Sequence, residues 1–155
     1  MNYWLMKSEP DVFSIDALKR RPKSRASWDG VRNYQARNML RDDFRVGDAA
    51  FFYHSSCAEP GIVGIMRVVS EGYPDPTALD RRHPQFDPKS KPDNPSWFMV
   101  DVEYVEHLTP PISLATLKRH QAQLEDLWIL RPGNRLSITP VSASQWKKIL
   151  KLSTR

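Results

Sequence analysis

The sequence predicts an α+β fold in which short helices surround a small, closed or nearly closed β-barrel of about five or six strands. Short apolar runs alternate with glycine and proline turn signals along the chain. The segment 97–107 also alternates apolar and polar residues, as a half-exposed antiparallel strand does. A length of 155 residues suits one hydrophobic core. We therefore expect one domain over 1–155, without an internal repeat or a linker.

The amino-terminal elements follow from local patterns. The run from Tyr3 to Lys7 is apolar and predicts the first strand. Ser14 is a suitable N-cap for a short helix that carries Ile15 and Leu18 on one face. The segment 31–41 predicts a second short helix.

Two central strands are predicted next. A turn signal at 46–48 precedes the apolar run 49–54, which is typical of a buried strand. A further strand is predicted over 62–69. Gly61 and Gly64 indicate a bulge, or a place where another group such as a ligand approaches the backbone closely.

The carboxy-terminal half continues the pattern. The predicted strand 97–107 has an apolar face and a face bearing Asp101 and Glu103; the apolar residues are Phe98, Val100, Val102 and Tyr104. Apolar residues between 114 and 128 predict helical packing broken by a polar turn, and 135–141 predicts the last strand. A capping-box pattern then starts a helix whose apolar residues share one face; its residues are Ser142, Gln145, Trp146, Ile149 and Leu150.

The segment 72–96 resists this assignment. It holds six of the 13 prolines and has no apolar periodicity. Irregular connections longer than about 12 to 15 residues are uncommon in compact domains and are often binding loops. We predict a loop that walls a pocket, the alternative being a mobile insertion between two strands.

Composition narrows the class of partner. The formal charge of +5 and a pI near 9.5 favour an anionic partner, and five cations lie in the basic run 19–25. That run predicts phosphate contacts, or otherwise an exposed loop that aids solubility. No apolar stretch approaches the roughly 20 residues that span a bilayer, and Cys57 is the only cysteine. We expect a cytoplasmic protein with no membrane partner.

The segment 28–38 is the first candidate for function. It offers aromatic faces for a base, amides that match base edges, and guanidinium groups for phosphate; the residues are Trp28, Asp29, Gly30, Val31, Arg32, Asn33, Tyr34, Gln35, Ala36, Arg37 and Asn38. The alternative interpretation is the start of a helix. Trp28 would then belong to the core, Asn33 would cap the helix, and the arginines would be solvated.

Catalytic and cofactor patterns are weak by comparison. The four histidines lack the spacing of metal ligands, and there is no phosphate-loop or dinucleotide motif. Lys7 and Ser8 are neighbours on a strand and point to opposite faces, so they are poorly placed to act together. We expect neither a metal nor a cofactor.

Several motifs together resemble the EVE domain, and the resemblance covers about residues 2 to 152. The motifs are Tyr3-Trp4-Leu5-Met6-Lys7-Ser8-Glu9-Pro10, the segment 28–38, Phe52-Tyr53-His54-Ser55, Pro60-Gly61-Ile62-Val63-Gly64, Tyr73-Pro74-Asp75 and Arg135-Leu136-Ser137. The resemblance implies a PUA-like barrel, related to the ASCH and YTH domains, that recognises modified bases in nucleic acid. The chain lacks the insertion after the first strand and the charged amino-terminal extension of eukaryotic members, which favours a bacterial-type, single-domain form.

The resemblance also implies a binding site. Trp28 and Tyr53 would stack on a base, while Lys7 and three arginines, Arg32, Arg37 and Arg135, would hold phosphate. Hydrogen bonds to the base edge would come from Ser8, Asn33, Ser55 and the backbone of Gly61 and Ile62. The complete candidate set is Lys7, Ser8, Trp28, Val31, Arg32, Asn33, Tyr34, Arg37, Tyr53, His54, Ser55, Gly61, Ile62, Arg135 and Ser137.

Two functions follow from this resemblance, and a third, structural interpretation is an adaptor whose pocket is vestigial. The first is a non-catalytic, monomeric module that binds a modified, for example methylated, nucleobase in DNA or RNA. The second is a small amidohydrolase of N-acylated nucleosides, as in some ASCH relatives, that uses Lys7, Glu9 and a hydroxyl group. Binding is favoured, because no nucleophile and base have a spacing that requires them to meet.

Overall fold

A curled sheet of six strands organises the computed structural model, which describes residues 1–153. The strand order in the sheet is β2-β7-β4-β3-β1-β8, and β5 pairs with β6 in a separate two-stranded sheet. The strands are β1 (Tyr3–Ser8), β2 (Arg25–Ser27), β3 (Ala49–His54), β4 (Gly61–Val68), β5 (Tyr73–Pro74), β6 (Phe98–Met99), β7 (Asp101–Ser113) and β8 (Ile138–Val141). The predicted α+β, barrel-like fold is thereby confirmed.

The centre of the sheet sets the direction of the strands. β1 and β3 run parallel, with Lys7 opposite Tyr53 and Ser8 opposite His54. The other pairings in this sheet are antiparallel. The carboxyl ends of β1 and β3 therefore lie side by side at one edge of the fold.

The sheet separates two hydrophobic cores. Successive side chains of a strand point to opposite faces, and β3 shows this directly. Ala50 and Phe52 belong to the first core, together with Trp28, whereas Phe51 and Tyr53 belong to the second. Neighbouring residues of one strand thus face different sides of the sheet.

Short helices cover both cores and begin at capped positions. They are α1 (Ile15–Arg20), α2 (Tyr34–Asn38), α3 (Leu114–Arg119) and α4 (Ala143–Ser153). Ser14 accepts a hydrogen bond from Ala17 N at the start of α1. Before α4, Ser142 N donates to Gln145 Oε1 and Gln145 N donates to Ser142 Oγ, at 2.8 and 3.0 Å, which confirms the capping box.

Several predicted boundaries were wrong. The second helix is shorter than 31–41, because Asn33 caps it and a π-helical turn, Met39–Asp43, follows it. The strand predicted over 135–141 begins only at Ile138, since Leu136 N donates to the Asn134 side chain and not to a neighbouring strand. β7 continues past 107 to Ser113.

The pairing of β4 is irregular beside Gly64, and neighbouring atoms of the protein pack closely against this glycine. The pairing of β4 with β7 shifts register between Ile62 and Gly64. A Cβ at Gly64 would collide with Ile15 Cδ1 of α1 and with the carbonyl of Glu106. From the sequence, a ligand was one group that could approach the backbone here. In the structure, the side chain of Ile15 from α1 occupies this space.

The proline-rich segment 72–96 has regular anchors. It contains β5 and a 3-10 turn, Pro76–Leu79. Asp87 Oδ2 accepts a hydrogen bond of 2.6 Å from Trp97 Nε1, and Ser90 Oγ accepts one from Ser96 N. These contacts disfavour a mobile insertion.

Within residues 1–153, none of the helices combines the length and the apolar character that crossing a membrane requires.

Candidate functional site

A cavity of about 450 Å³ opens at the carboxyl end of β1. We call it the strand-end cavity. Its wall combines one amine, one guanidinium, one carboxyl group and two aromatic rings; the lining residues are Lys7, Ser8, Val12, Phe13, Arg21, Ala26, Ser27, Trp28 and Asp29. Its volume lies within the roughly 300 to 1,000 Å³ that small-molecule sites occupy.

Backbone hydrogen bonds hold the β1 side of the cavity. Lys7 N donates to Ser137 O at 2.8 Å, and Ser55 N donates to Ser8 O at 3.0 Å. The Ser8 hydroxyl donates to Phe13 O at 2.6 Å, which fixes the turn that brings Phe13 to the cavity. Ser8 therefore has a structural contact, and this contact gives no support to its use as a nucleophile.

Trp28 belongs to the core and to the cavity wall at the same time. It is only 6% exposed. Its ring meets Phe52 and Phe13 edge-on, with centroid distances of 5.2 and 6.3 Å, and its backbone N–H donates to Val100 O. Trp28 is thus a core residue that also borders the cavity, and its stacking on a base stays a prediction.

Arg21 covers the exposed side of this aromatic group. Its guanidinium lies 5.3 Å from the ring centre of Phe13, and Arg21 is exposed to solvent. A guanidinium plane can stack on an aromatic face or on a base. Arg21 is thus an adjustable side chain next to fixed rings.

Lys7 is a half-buried amine without a partner. No residue in 1–153 forms a hydrogen bond or an ion pair with its Nζ. Burial lowers the pKa of Lys7 below its ordinary value, because the charged form loses hydration. The fold thus holds a partly desolvated amine at the cavity, and no acceptor within residues 1–153 offsets the free-energy cost of that desolvation.

Asp29 is the complementary group on the same wall. Burial raises the pKa of its carboxyl group, and the negative charge of Asp75 raises it further, while His83 and Arg32 act in the opposite sense. No other residue in the described chain forms a hydrogen bond or an ion pair with this carboxyl. Its one hydrogen bond comes from the backbone N–H of Asp29 itself, which leaves the carboxylate with further acceptor positions. Lys7 therefore provides an unused donor, and Asp29 provides acceptor positions that no other residue uses.

Asp75 belongs to the proline-rich segment 72–96, and its side chain holds the loop beside the cavity. Its buried carboxylate accepts hydrogen bonds from Gly30 N at 2.9 Å, from Arg32 Nη1 at 3.1 Å, and from the backbone N and Oγ1 of Thr77. Burial alone would raise the pKa of Asp75, but these hydrogen bonds outweigh it and hold the pKa below its ordinary value. We call this arrangement the Asp75 clamp.

The prediction that segment 72–96 walls the pocket needs correction. None of its residues lines the strand-end cavity. Instead, the segment acts through the Asp75 clamp, and Arg32 Nη2 adds a 2.7 Å hydrogen bond to Gln85 O. Its role is to position residues 28–30.

Both arginines and the tyrosine of segment 28–38 have contacts within the chain. Arg32 lies in the Asp75 clamp, and Arg37 Nη1 donates to Ser96 O at 2.5 Å. The ring of Tyr34 stacks on that of Trp97, with 4.7 Å between the ring centres. The guanidinium of Arg37 lies 5.0 Å from the ring centre of Tyr34. In the free chain these side chains bind other residues of the protein, and their contacts with phosphate and base stay predictions.

Asn33 takes the capping role that the sequence offered as an alternative. Its Oδ1 accepts a 3.0 Å hydrogen bond from Ala36 N at the start of α2. Val31 is 5% exposed and lies in the first core. Neither residue lines the strand-end cavity.

The predicted cavity shared by Trp28 and Tyr53 was wrong. Tyr53 is 3% exposed and packs in the second core with Ile62, across the sheet from Trp28. Burial raises the pKa of Tyr53 to about 12. Gly61 lies against the backbone of Ile112, which leaves no room for a side chain.

The remaining candidates have simple positions. His54 Nε2 accepts a hydrogen bond from Ile15 N, and burial lowers the pKa of His54, which agrees with a neutral acceptor. Ser55 and Ser137 contribute backbone contacts to β1. Arg135 is exposed and has no hydrogen bond or ion pair within residues 1–153.

The basic run 19–25 divides into paired and free cations. Arg25 pairs with Glu103 at 2.8 Å, and the Lys19 amine lies 5.5 Å from the ring centre of Tyr104. The side chains of Arg20 and Lys23 are exposed and form no hydrogen bond or ion pair in the described chain. The run joins the cavity through Arg21.

Sequence reasoning missed the cavity roles of Phe13, Arg21, Ser27 and Asp29. Asp29 belongs to segment 28–38, but its residue type alone predicts no specific contact with a base or phosphate. Phe13 carries no local signal for binding, and Arg21 was predicted only to contact phosphate as part of the basic run 19–25, since only the fold brings these two residues to the end of β1. No group of three or more histidine, cysteine or acidic side chains in residues 1–153 could hold a metal ion.

Comparison with known proteins supplies a family. The model of the EVE domain matches residues 2–152. Thymocyte nuclear protein 1 of Homo sapiens is 46% identical over 170 residues, which span 99% of this chain and 75% of that protein. The corresponding protein of Danio rerio is 43% identical over 96% of this chain and 71% of its own length.

Solved structures agree with this result. A crystal structure of human THYN1 protein in complex with 5-methylcytosine-containing DNA superposes with a TM-score of 0.94, at 46% identity and coverage of 100% of this chain and 99% of that one. A protein from Pseudomonas putida is similar at 51% identity and a TM-score of 0.92, with coverage of 97% and 99%. The fold and the family are thus shared across bacteria and animals.

Proposed function

This chain belongs to the EVE domain family, and we propose that it binds nucleic acid containing a modified cytosine, whose base occupies the strand-end cavity. The proposal takes the ligand class from the human relative, which is 46% identical and is described in complex with 5-methylcytosine-containing DNA. The cavity itself supplies the chemistry that such a ligand requires.

The observation that carries the proposal is the unpaired amine of Lys7. A half-buried, unpaired amine is costly in a folded protein, and the pKa of Lys7 is lowered by that burial. A base carries acceptor atoms on its edge, and an amine can donate to them. A bound base would therefore provide the missing partner.

The aromatic residues complete the site. Phe13 and Trp28 offer fixed apolar surface on the cavity wall, and Arg21 can move over a base from the solvent side. Turning a base out of a duplex costs a few kcal/mol. Stacking returns about 1 to 3 kcal/mol per base, so the hydrogen bond from Lys7 is needed for useful affinity.

Phosphate contacts would come from the free cations of the basic run. Arg20 and Lys23 are exposed and unpaired, and they are close in sequence to Arg21. Each phosphate contact steepens the dependence of affinity on salt by about one unit. These contacts position the nucleic acid without reading its sequence.

A binding measurement with matched lysine variants tests the proposal. We expect fluorescence anisotropy to show tighter binding to an oligonucleotide with one 5-methylcytosine than to its unmodified counterpart, at two stated salt concentrations. Lys7→Met should weaken binding of the modified oligonucleotide by roughly tenfold or more, because a hydrogen bond to a charged group is lost. Equal dissociation constants for modified and unmodified oligonucleotides would contradict the proposal.

Lys147→Met is the control for charge. Lys147 is exposed on α4, so its substitution removes the same formal charge without changing the cavity. We expect it to leave the preference for the modified base unchanged. A loss of preference equal to that of Lys7→Met would assign the effect to overall charge.

A further inference from the structure

We propose that Asp29 makes the strand-end cavity select a base with an exocyclic amino group over a base with a carbonyl group at the same position. This inference rests on the proposed function, since it assigns a specificity-determining residue to the same cavity. The ligand class is a cytosine-type base, and the rejected class is a thymine- or uracil-type base.

The residues before and after Asp29 in the sequence are both held by contacts with other parts of the chain. The preceding residue, Trp28, is packed between Phe13 and Phe52, and its N–H donates to Val100 O at 2.8 Å. The following residue, Gly30, donates its N–H to Asp75 at 2.9 Å. The backbone that carries the carboxyl group is therefore held in place at the cavity wall.

The carboxyl group is hydrogen-bonded only within its own residue, to the backbone N–H of Asp29. No other residue in 1–153 forms a hydrogen bond or an ion pair with it, although Lys7 and Arg21 line the same cavity. By contrast, neighbouring Asp75 accepts four hydrogen bonds. A carboxylate that no other residue engages, carried on a backbone held at both neighbouring residues, is suited to a ligand with a matching donor.

The carboxylate of Asp29 lies in a cavity proposed to bind a nucleic acid, so its negative charge needs a favourable contact with the ligand. A negative charge beside a polyanion is repelled, so it weakens binding that depends only on phosphate. The cost is offset when the carboxylate accepts a hydrogen bond that the correct ligand can donate. Selectivity of this kind rests on penalising the wrong ligand.

Hydrogen-bond chemistry then names the class of base. An ionised carboxylate only accepts, and an ammonium group only donates. Cytosine donates from its N4 amino group, whereas thymine has the acceptor O4 at that position. Asp29 would thus bond to the amino group and repel the carbonyl, while Lys7 donates to an acceptor elsewhere on either base.

5-Methylcytosine and thymine form a matched pair for the test, because both carry a methyl group at C5. We expect the wild-type protein to bind a single-stranded oligonucleotide with one 5-methylcytosine roughly tenfold more tightly than the same oligonucleotide with thymine. Asp29→Asn should bring the two dissociation constants close together, since an amide can turn to donate or to accept. Asp93→Asn is the control, because Asp93 is exposed, has no hydrogen bond or ion pair in the described chain, and lies outside the cavity.

The outcomes separate this inference from the function on which it rests. If the wild type binds 5-methylcytosine and thymine equally but unmodified cytosine weakly, the methyl group is read and the role of Asp29 is refuted. If Asp29→Asn weakens both ligands by the same factor, Asp29 has no selective role. If the wild type does not distinguish 5-methylcytosine from cytosine, the proposed function fails, whatever the behaviour of Asp29→Asn.

Discussion

Segment 30–38 and the strand-end cavity differ in what their polar groups bind. In the segment, Arg32, Asn33 and Arg37 all have partners within the chain. In the cavity, the Lys7 amine has no partner among residues 1–153, and the Asp29 carboxyl has none except its own backbone N–H. The polar groups of the more conspicuous segment are therefore bound within the chain, whereas the cavity keeps polar groups that no other residue binds.

This difference teaches that the satisfaction of polar groups is a better guide to a site than their abundance. Buried polar groups that already have partners stabilise and orient the fold. Polar groups that the fold holds at a cavity without partners carry a free-energy cost that a ligand can offset. The two regions are also connected, because the Asp75 clamp positions the loop on which Asp29 lies.

The largest expected effect is the loss of the Asp75 clamp. Asp75→Ala leaves the largely buried Arg32 without its carboxylate, and we expect the free energy of unfolding to fall by about 3 to 5 kcal/mol. Urea denaturation measures this. Asp42→Ala is the control, because Asp42 forms an exposed pair with Arg41 and should leave the midpoint unchanged.

The dependence on pH sharpens the same prediction. The fold depresses the pKa of Asp75, so its contribution to stability is fully present above the ordinary value of 3.8 and is lost as the pH falls through the lower folded value. Wild type and Asp75→Ala should therefore converge only in strong acid. An equal separation at pH 7 and pH 2 would show that the ionised carboxylate is not the stabilising group.

The fold could be predicted because its signals are local. The N-cap at Ser14, the capping box at Ser142 and the alternation in β7 each depend on residues within a few positions. The predictions that were wrong concern residues whose contacts lie far away in the sequence. Arg32 reads as a free cation because its partners Asp75 and Gln85 are 43 and 53 residues away.

The site was predictable only in part for the same reason. Lys7, Ser8 and Trp28 were chosen as candidates and do line the cavity. Tyr53 was placed with them, although strand alternation puts it in the other core while its neighbour Phe52 contacts Trp28. Pairing of β1 with β3 brings these motifs close, but only the structure shows which face each side chain occupies.

A smaller effect is expected at Asn33. Asn33→Ala removes the N-cap of α2 and should lower the free energy of unfolding by about 1 kcal/mol, while Asn33→Ser should retain most of it. The preference between 5-methylcytosine and cytosine should not change, because the amide lies outside the cavity. Loss of that preference without loss of stability would restore Asn33 as a reader of the base edge.

The smallest effect concerns the stability cost of Lys7. The fold lowers the pKa of Lys7 through burial, so below the ordinary value of 10.5 the charged amine destabilises the folded state. Lys7→Met should therefore be slightly more stable than the wild type at pH 7, and the difference should narrow as the pH approaches 10.5, where the unfolded chain also releases the proton. Urea denaturation at pH 7, 9 and 10.5, with Lys147→Met as the exposed control, measures this trend. If Lys7→Met were less stable than the wild type at pH 7, the amine would have a favourable partner in the free protein, and the contrast between an unsatisfied cavity and a satisfied scaffold would no longer hold.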